Sequence, residues 1–265
     1  MPDQPTALFE TLGNRFLPTS LSLGPWSPTA LHGGPPAALL ARAVERHEGG
    51  EDMMVTRLTV ELLRPVPLEP LELTTRLVRP GRKVQIVEAS LRAGAHEVVR
   101  LTSLRIREQP LALPPDLPMD AVVVEPPEQG VDAQRMSGFL EGFHTRGVEH
   151  RFVRGQLERA GPATDWIRLR VPLLDGEEPS PLVRVCAAAD FGNGVSQILP
   201  RTHTFINPDL TIYLHRYPRG EWVCIDAVTR IEQNGVGLAE SRLLDRDGTI
   251  GRAAQSLIVE ERGPR

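Results

Sequence analysis

The sequence predicts an α+β fold built twice over, as two tandem units in which an antiparallel sheet wraps one central helix. Three observations predict it. A Gly/Pro turn, His32-Gly33-Gly34-Pro35-Pro36, opens directly into an apolar helix running from Ala37 to Glu45. Runs of alternating apolar and polar residues follow, separated by Gly and Pro turns. The second half of the chain then repeats the first in a single register.

Proline fits the first turn of a helix because the N–H it lacks would be unpaired there, so Pro35 and Pro36 start the helix rather than break it. Leu39, Leu40, Ala43 and Val44 recur at helical spacing. A helix this apolar is buried, with Arg42, Glu45 and Arg46 as its polar edge and Gly49-Gly50 closing it. Phe16 to Leu23 reads as a strand ahead of the helix. Val55 to Arg64, Leu71 to Val78, Lys83 to Arg92 and Val98 to Arg107 read as an antiparallel meander behind it, with a hairpin turn at Gly94-Ala95-His96. From Gln109 to Gln129, six prolines (Pro110, Pro114, Pro115, Pro118, Pro126 and Pro127) erase any periodicity and predict an extended linker. Asp132 to Phe143 is a helical patch. Strands follow at Gly147 to Arg154 and Trp166 to Val171, then an apolar helix from Leu182 to Asp190. Phe205 to Arg216, Glu221 to Ile231, Gly235 to Asp245 and Thr249 to Glu260 complete the set, with a hairpin at Asp245-Arg246-Asp247-Gly248. The chain thus divides at 1–109, 110–131 and 132–265.

The repeat is visible residue by residue. Thr59 and Thr211 are offset by 152 positions (211 − 59), and the same offset pairs Arg64 with Arg216, Glu88 with Glu240 and Leu91 with Leu243. It also pairs Arg100 with Arg252, Ile106 with Ile258 and Glu108 with Glu260, without a gap. That many matches in one register, spread over matching elements, mark a duplicated unit.

Composition bounds the function. With 265 residues, 40% of them hydrophobic, and a net charge of −4, the chain can bury a core and carries no basic footprint for nucleic acid. Two cysteines, Cys186 and Cys224, fit a reducing cytosol as small buried hydrophobes. The opening Met1-Pro2-Asp3-Gln4-Pro5 has neither the basic nor the apolar segment of a secretion signal, and no run is long enough to span a membrane, so a cytoplasmic protein is expected. His203 and His215 lack a third ligand at metal-site spacing. A strand–helix Gly-x-Ser-x-Gly elbow and a dinucleotide fingerprint are both missing, which argues against a serine hydrolase and a nucleotide enzyme.

Four stretches carry a resemblance. They are Trp26 to Ala43 with its His32-Gly33-Gly34 turn, Ala189-Asp190-Phe191-Gly192-Asn193-Gly194, the run Asn207 to Arg216, and Ala254-Gln255-Ser256 on the last strand. In order and spacing they are similar to the acyl-CoA thioesterase II-like family, over nearly the whole chain. The resemblance implies a tandem, or double, hotdog fold and an acyl-CoA substrate. It implies no cofactor, direct attack by water, and assembly as a homo-oligomer. The family's catalytic Asp, Thr or Ser, and Gln fall by position on Asp190, Asn207 and Gln255, so the middle member departs from the usual hydroxyl.

Taken on their chemistry, Asp190 serves as a general base, while Asn207 and Gln255 fix a water with neutral amides. Gly33 and Gly34, at a helix start with His32 beside them, present amides to a thioester carbonyl oxygen. Bland readings stand beside these. Asp190 is also a polar residue at a helix end, Asn207-Pro208 a turn dipeptide, Gln255 an outward strand residue, His32 a cap, and the glycine pair a packing device. A second function class is a non-catalytic acyl-binding protein. An enoyl-CoA hydratase of this type places a His five residues after its Asp, where this chain has Val195.

Overall fold

The computed structural model describes residues 4–117, 122–133, 141–156, 159–200 and 202–262. The helical patch expected over Asp132 to Phe143 lies largely outside them, as does Pro118 of the linker. Among the described residues the fold is mostly antiparallel sheet with few helices.

The chain begins with β1 (Phe9–Leu12) and β2 (Arg15–Pro18). The strand expected over Phe16 to Leu23 stops at Pro18, and Ser20–Ser22 turns as a 3-10 helix capped by the Thr19 hydroxyl. Helix α1 (Gly34–Glu45) follows, with both prolines in its first turn and Leu39 and Leu40 fully buried. Each such leucine contributes about 1.5–3 kcal/mol. Strands β3 (Met53–Leu62), β4 (Leu71–Arg79), β5 (Val84–Ala93) and β6 (His96–Arg107) come next. After the linker come β7 (Val131–Asp132), a π-type turn over Phe143–Gly147, β8 (Val148–Arg154) and β9 (Ala163–Leu169). Helix α2 (Pro181–Ala189) and a short α3 (Gly192–Val195) precede β10 (His203–Ile206), β11 (Asp209–Leu214), β12 (Val223–Ile231), β13 (Val236–Asp245) and β14 (Gly248–Glu261).

All strands join one sheet in the order β1-β2-β4-β5-β6-β3-β11-β14-β13-β12-β9-β8-β7, with β10 paired to β14 off that path. The simple meander is therefore corrected. β3 lies beside β6 rather than β4, because it also pairs with β11 from the second half. In that seam Thr59 faces Thr211, the first pair of the repeat, with their hydroxyls 3.5 Å apart.

The repeat extends to strand register. Thr59 pairs with Thr102 as Thr211 pairs with Ala254. Glu88 pairs with Thr102 as Glu240 pairs with Ala254, and Arg76 pairs with Glu88 as Val228 pairs with Glu240. Even the bulge recurs, between Leu91 and Arg92 in one half and between Leu243 and Leu244 in the other. Sequence offset and hydrogen-bond register thus agree at these pairs, while the bulge between Leu77 and Arg79 has no counterpart between β12 and β13.

Inside the curled sheet α1 and α2 run antiparallel. Ser180, the N-cap of α2, donates its hydroxyl to Glu45 at the end of α1, at 2.6 Å. Arg42 clamps Glu177 through Nε and Nη2 at 2.6 and 2.7 Å. The polar edge of α1 is therefore spent on the loop that leads into α2. At the other end of the pair the start of α1 meets the end of α2. Buried Arg105 donates to the carbonyls of Val44 and His47, satisfying the C-terminus of α1 with a cation.

The linker also has structure. Val122 and Val124 pack on Trp166, Cys224 and Leu244, and Trp166 donates its indole N–H to Glu125 O at 2.8 Å. Both cysteines are free and buried, and desolvation pushes their thiols up. Native protein is expected to leave thiol reagents unconsumed until it is unfolded; fast labelling of folded protein would contradict this burial.

Candidate active site

The end of α2 sets the site. Ser180 and Pro181 start that helix, and Asp190 caps its C-terminus before Phe191 and Gly192 turn the chain into α3. The Asp190 side chain is only 5% exposed, which rules out a solvent-facing helix end. A buried carboxylate needs donors to offset its lost hydration. Oδ1 accepts from Asn207 Nδ2 at 2.9 Å and from Gln255 Nε2 at 3.1 Å. Oδ2 lies 2.9 Å from His32 Nδ1.

Each partner is held by its own element. The single strand expected over Phe205 to Arg216 is broken at Asn207-Pro208, which separates β10 from β11. Proline supplies no ladder donor, but its carbonyl accepts from Leu62 N at 2.7 Å, so the chain stays pinned to the end of β3. In the break Asn207 turns inward, and its Nδ2 also reaches Asp209 O at 3.2 Å. Gln255 sits on the inner face of β14, 1% exposed. Its Oε1 accepts from Asn193 N at 3.1 Å, and its Nε2 also donates to Asp190 O at 3.2 Å. Gln255 is thus no outward strand residue. Both amides hold the carboxylate itself, a firmer role than the water-holding one expected.

His32 is fixed by its backbone N–H to Ser22 O at 2.9 Å and by its ring against Phe191 and Phe143, with centroids 4.5 and 5.2 Å away. Its Nδ1 lies 2.9 Å from Asp190 and also 3.1 Å from Gly34 N. One nitrogen serves one of these bonds at a time. Protonated, it donates to Asp190; bare, it accepts from Gly34. The Gly34 amide, expected to face a carbonyl oxygen, is therefore available only while Nδ1 carries its proton.

The two glycines answer to sterics. A Cβ on Gly33 would lie 2.7 Å from Asp190 Oδ2. One on Gly34 would lie 2.8 Å from Ala187 O and 2.9 Å from the Phe143 ring. Gly33 gives the carboxylate room, and Gly34 lets the two helices touch.

Of the six residues expected at the site, His32, Gly33, Asn207 and Gln255 meet around the Asp190 carboxylate, and Gly34 joins them through His32. Sequence reasoning missed the aromatic wall beneath it. Phe191 lies between His32 and His150, with centroids 4.5 and 4.9 Å away, and His150 Nδ1 is 2.6 Å from fully buried Asp165. Phe191 directly follows Asp190 in the chain, which hinted at it, whereas Phe143 lies 47 residues before Asp190 and nothing local tied it to the site. A cavity of about 570 Å³ bounded by Val122, Arg216, Asp245 and Thr249 lies in the second half, between linker and sheet rather than at Asp190.

Burial, with His32 and His150 as like-charged neighbours, pushes the His144 imidazole down to about 3 from 6.5. The folded state thus keeps His144 neutral while the unfolded chain takes up a proton. Stability present above pH 6.5 is lost as pH falls toward 3, at about 1.4 kcal/mol per pH unit. Burial raises the Asp165 carboxyl and so acts in the opposite sense, but His144→Gln isolates the histidine. Thermal midpoints are expected to fall from pH 7 to pH 5 more steeply for the native protein than for this variant. Equal slopes would contradict the assignment.

Comparisons with known proteins bear on the family and the fold. The sequence pattern of the acyl-CoA thioesterase N-terminal domain matches residues 23–106, and that of the C-terminal domain matches 119–259. No curated protein matches the sequence. Among solved structures, a provisionally named thioesterase II from Thermobifida fusca has a TM-score of 0.74 at 18% identity, covering 97% of this chain and 96% of its own. A hot dog fold protein of unknown function from Alicyclobacillus acidocaldarius has a TM-score of 0.71 at 16% identity, with 97% and 96% covered. An acyl-CoA thioesterase II from Mycobacterium marinum has a TM-score of 0.66 at 16% identity, with 96% of both chains covered. At these identities the likeness is one of fold.

Proposed function

Since the chain belongs to the acyl-CoA thioesterase family, we propose that it hydrolyses fatty or related acyl-CoA thioesters by direct attack of a water activated at Asp190. The same reading makes it a tandem hotdog of units 1–109 and 132–265 joined by 110–131, and the shared strand registers and shared bulge support that division.

One observation carries the chemistry. Asp190 is a buried carboxylate whose three side-chain donors leave it acceptor capacity for one more. An ionised carboxylate has about four lone-pair sites. A water donating to Oδ2 loses its proton there as its oxygen bonds to the thioester carbonyl carbon. Asn207 and Gln255 keep the carboxylate aimed without competing for that proton. Negative charge on the carbonyl oxygen falls at the start of α1, where helix dipole and free amides favour it. With His32 Nδ1 protonated toward Asp190, the Gly34 N–H turns from the imidazole to that oxygen. Collapse breaks the C–S bond, and the CoA thiolate takes the proton from Asp190. The products are a carboxylic acid and free CoA.

The replacement of the family hydroxyl by Asn207 supports a second reading, a protein that binds acyl chains without hydrolysing them. The bond from Asn207 Nδ2 to Asp190 supports the first, since the amide supplies a donor as a hydroxyl does. The buried thiols agree with a cytoplasmic setting, and a homo-oligomer remains part of the proposal. Free-thiol release from acyl-CoAs of graded length decides between the readings. Release above the spontaneous rate is expected for at least one length. Saturable binding with none released would favour the non-catalytic reading.

A further inference from the structure

We propose that Trp26 and Phe205 form the mouth of the acyl site and grip the alkyl chain of the substrate, setting chain-length preference. This inference rests on the thioester reading of the Asp190 site and adds the part of the substrate that each side receives.

The loop from Leu23 to Leu31 is closed by Gly24 N donating to Ala30 O at 3.0 Å. It is tied to the first half by Leu31 N to Val66 O at 2.9 Å and Leu68 N to Thr29 O at 3.1 Å. From it Trp26 reaches across to β10 in the second half and meets the Phe205 ring edge-on, with centroids 6.2 Å apart. The chain at one end of this contact leads to His32 and at the other to Asn207, two residues beyond Phe205. Loop, aromatic pair, Asn207, Asp190 and His32 are thus joined in one ring of chain and side-chain contacts.

That ring has an apolar side. Alternate residues of a strand share a face, so Leu257 and Val259 line the same face as Gln255, and Val259 pairs with Phe205. The wall runs about 13 Å from Gln255 to Val259 at strand spacing. It ends at Glu261, next on that face and paired with His203. An acid at the far end repels the phosphates of CoA, while the apolar rings and side chains suit an alkyl chain. Trp26 is 54% exposed although it is a large aromatic at this rim, whereas Trp166 is buried and Trp222 lies under the Arg168 guanidinium.

The test uses the full chain and non-hydrolysable thioether analogues of acyl-CoA with short, medium and long chains. Tryptophan emission of the native protein is expected to shift to the blue on binding, more so with longer chains, and Trp26→Phe is expected to lose that shift. In hydrolysis, the ratio of kcat/KM for a long over a short acyl-CoA should fall about tenfold in Trp26→Ala and in Phe205→Ala. An equal shift with CoA alone, no dependence on length, or an unchanged ratio in both variants would overturn the proposal. If nothing is hydrolysed but the length-dependent shift persists, the alkyl wall stands and the hydrolytic reading alone fails.

Discussion

Asp190→Asn should lower kcat for acyl-CoA hydrolysis about a thousandfold while leaving the fold intact. A general base in this setting contributes about 100- to 10,000-fold. The substitution keeps the shape of a side chain that touches Asn207, Gln255 and His32, yet removes the negative charge that takes the water's proton. It also brings in an amide N–H, which at the Oδ1 position would face the Asn207 and Gln255 donors and at the Oδ2 position would need His32 Nδ1 unprotonated to accept it. KM should change far less than kcat, because the alkyl chain and CoA are held elsewhere. Steady-state kinetics by thiol release, with circular dichroism as the control for folding, check this. A fully active Asp190→Asn protein would remove Asp190 from the chemistry.

Gly34→Val should produce the largest loss of stability. A side chain there meets the backbone carbonyl of Ala187 and the Phe143 ring, and neither gives way without moving a helix. Overpacking of this kind costs about 3 kcal/mol or more, because α1 and α2 must separate in a core that is otherwise closed. Gly33→Ala makes the informative contrast. The atoms nearest its added methyl are those of the Asp190 carboxylate, so it should unfold near the native urea midpoint and lose activity instead. Urea unfolding read by tryptophan fluorescence measures both. A Gly34→Val midpoint equal to the native one would show that the helices do not depend on this contact.

The fold was legible wherever periodicity and punctuation act locally. Pro35, Pro36 and the leucines of α1 define that helix, and the constant offset from Thr59 to Thr211 marks the duplication, though not the seam where those two residues face each other. Position in the sheet was not legible, because β3 takes its place from a partner strand some 150 residues later, and no local pattern encodes that choice. The break at Asn207-Pro208 was hidden for a related reason. The residues on either side have strand composition, and only the need to bring an amide to Asp190 distinguishes the kink from a continuous strand. The polar members of the site could be named in advance because the family resemblance places its catalytic positions on Asp190, Asn207 and Gln255. Phe143, Phe191 and Trp26 could not, since an aromatic residue in sequence looks the same in a core, beneath a carboxylate or at a rim.

Heavy-oxygen water in a single turnover, with enzyme in excess over one acyl-CoA, probes the attacking atom itself. If Asp190 activates a water, the label appears in the released carboxylic acid and none enters the peptide that carries Asp190. If label is instead found in the Asp190 side chain, the carboxylate attacks the thioester itself through an anhydride, and the water-activation account is wrong.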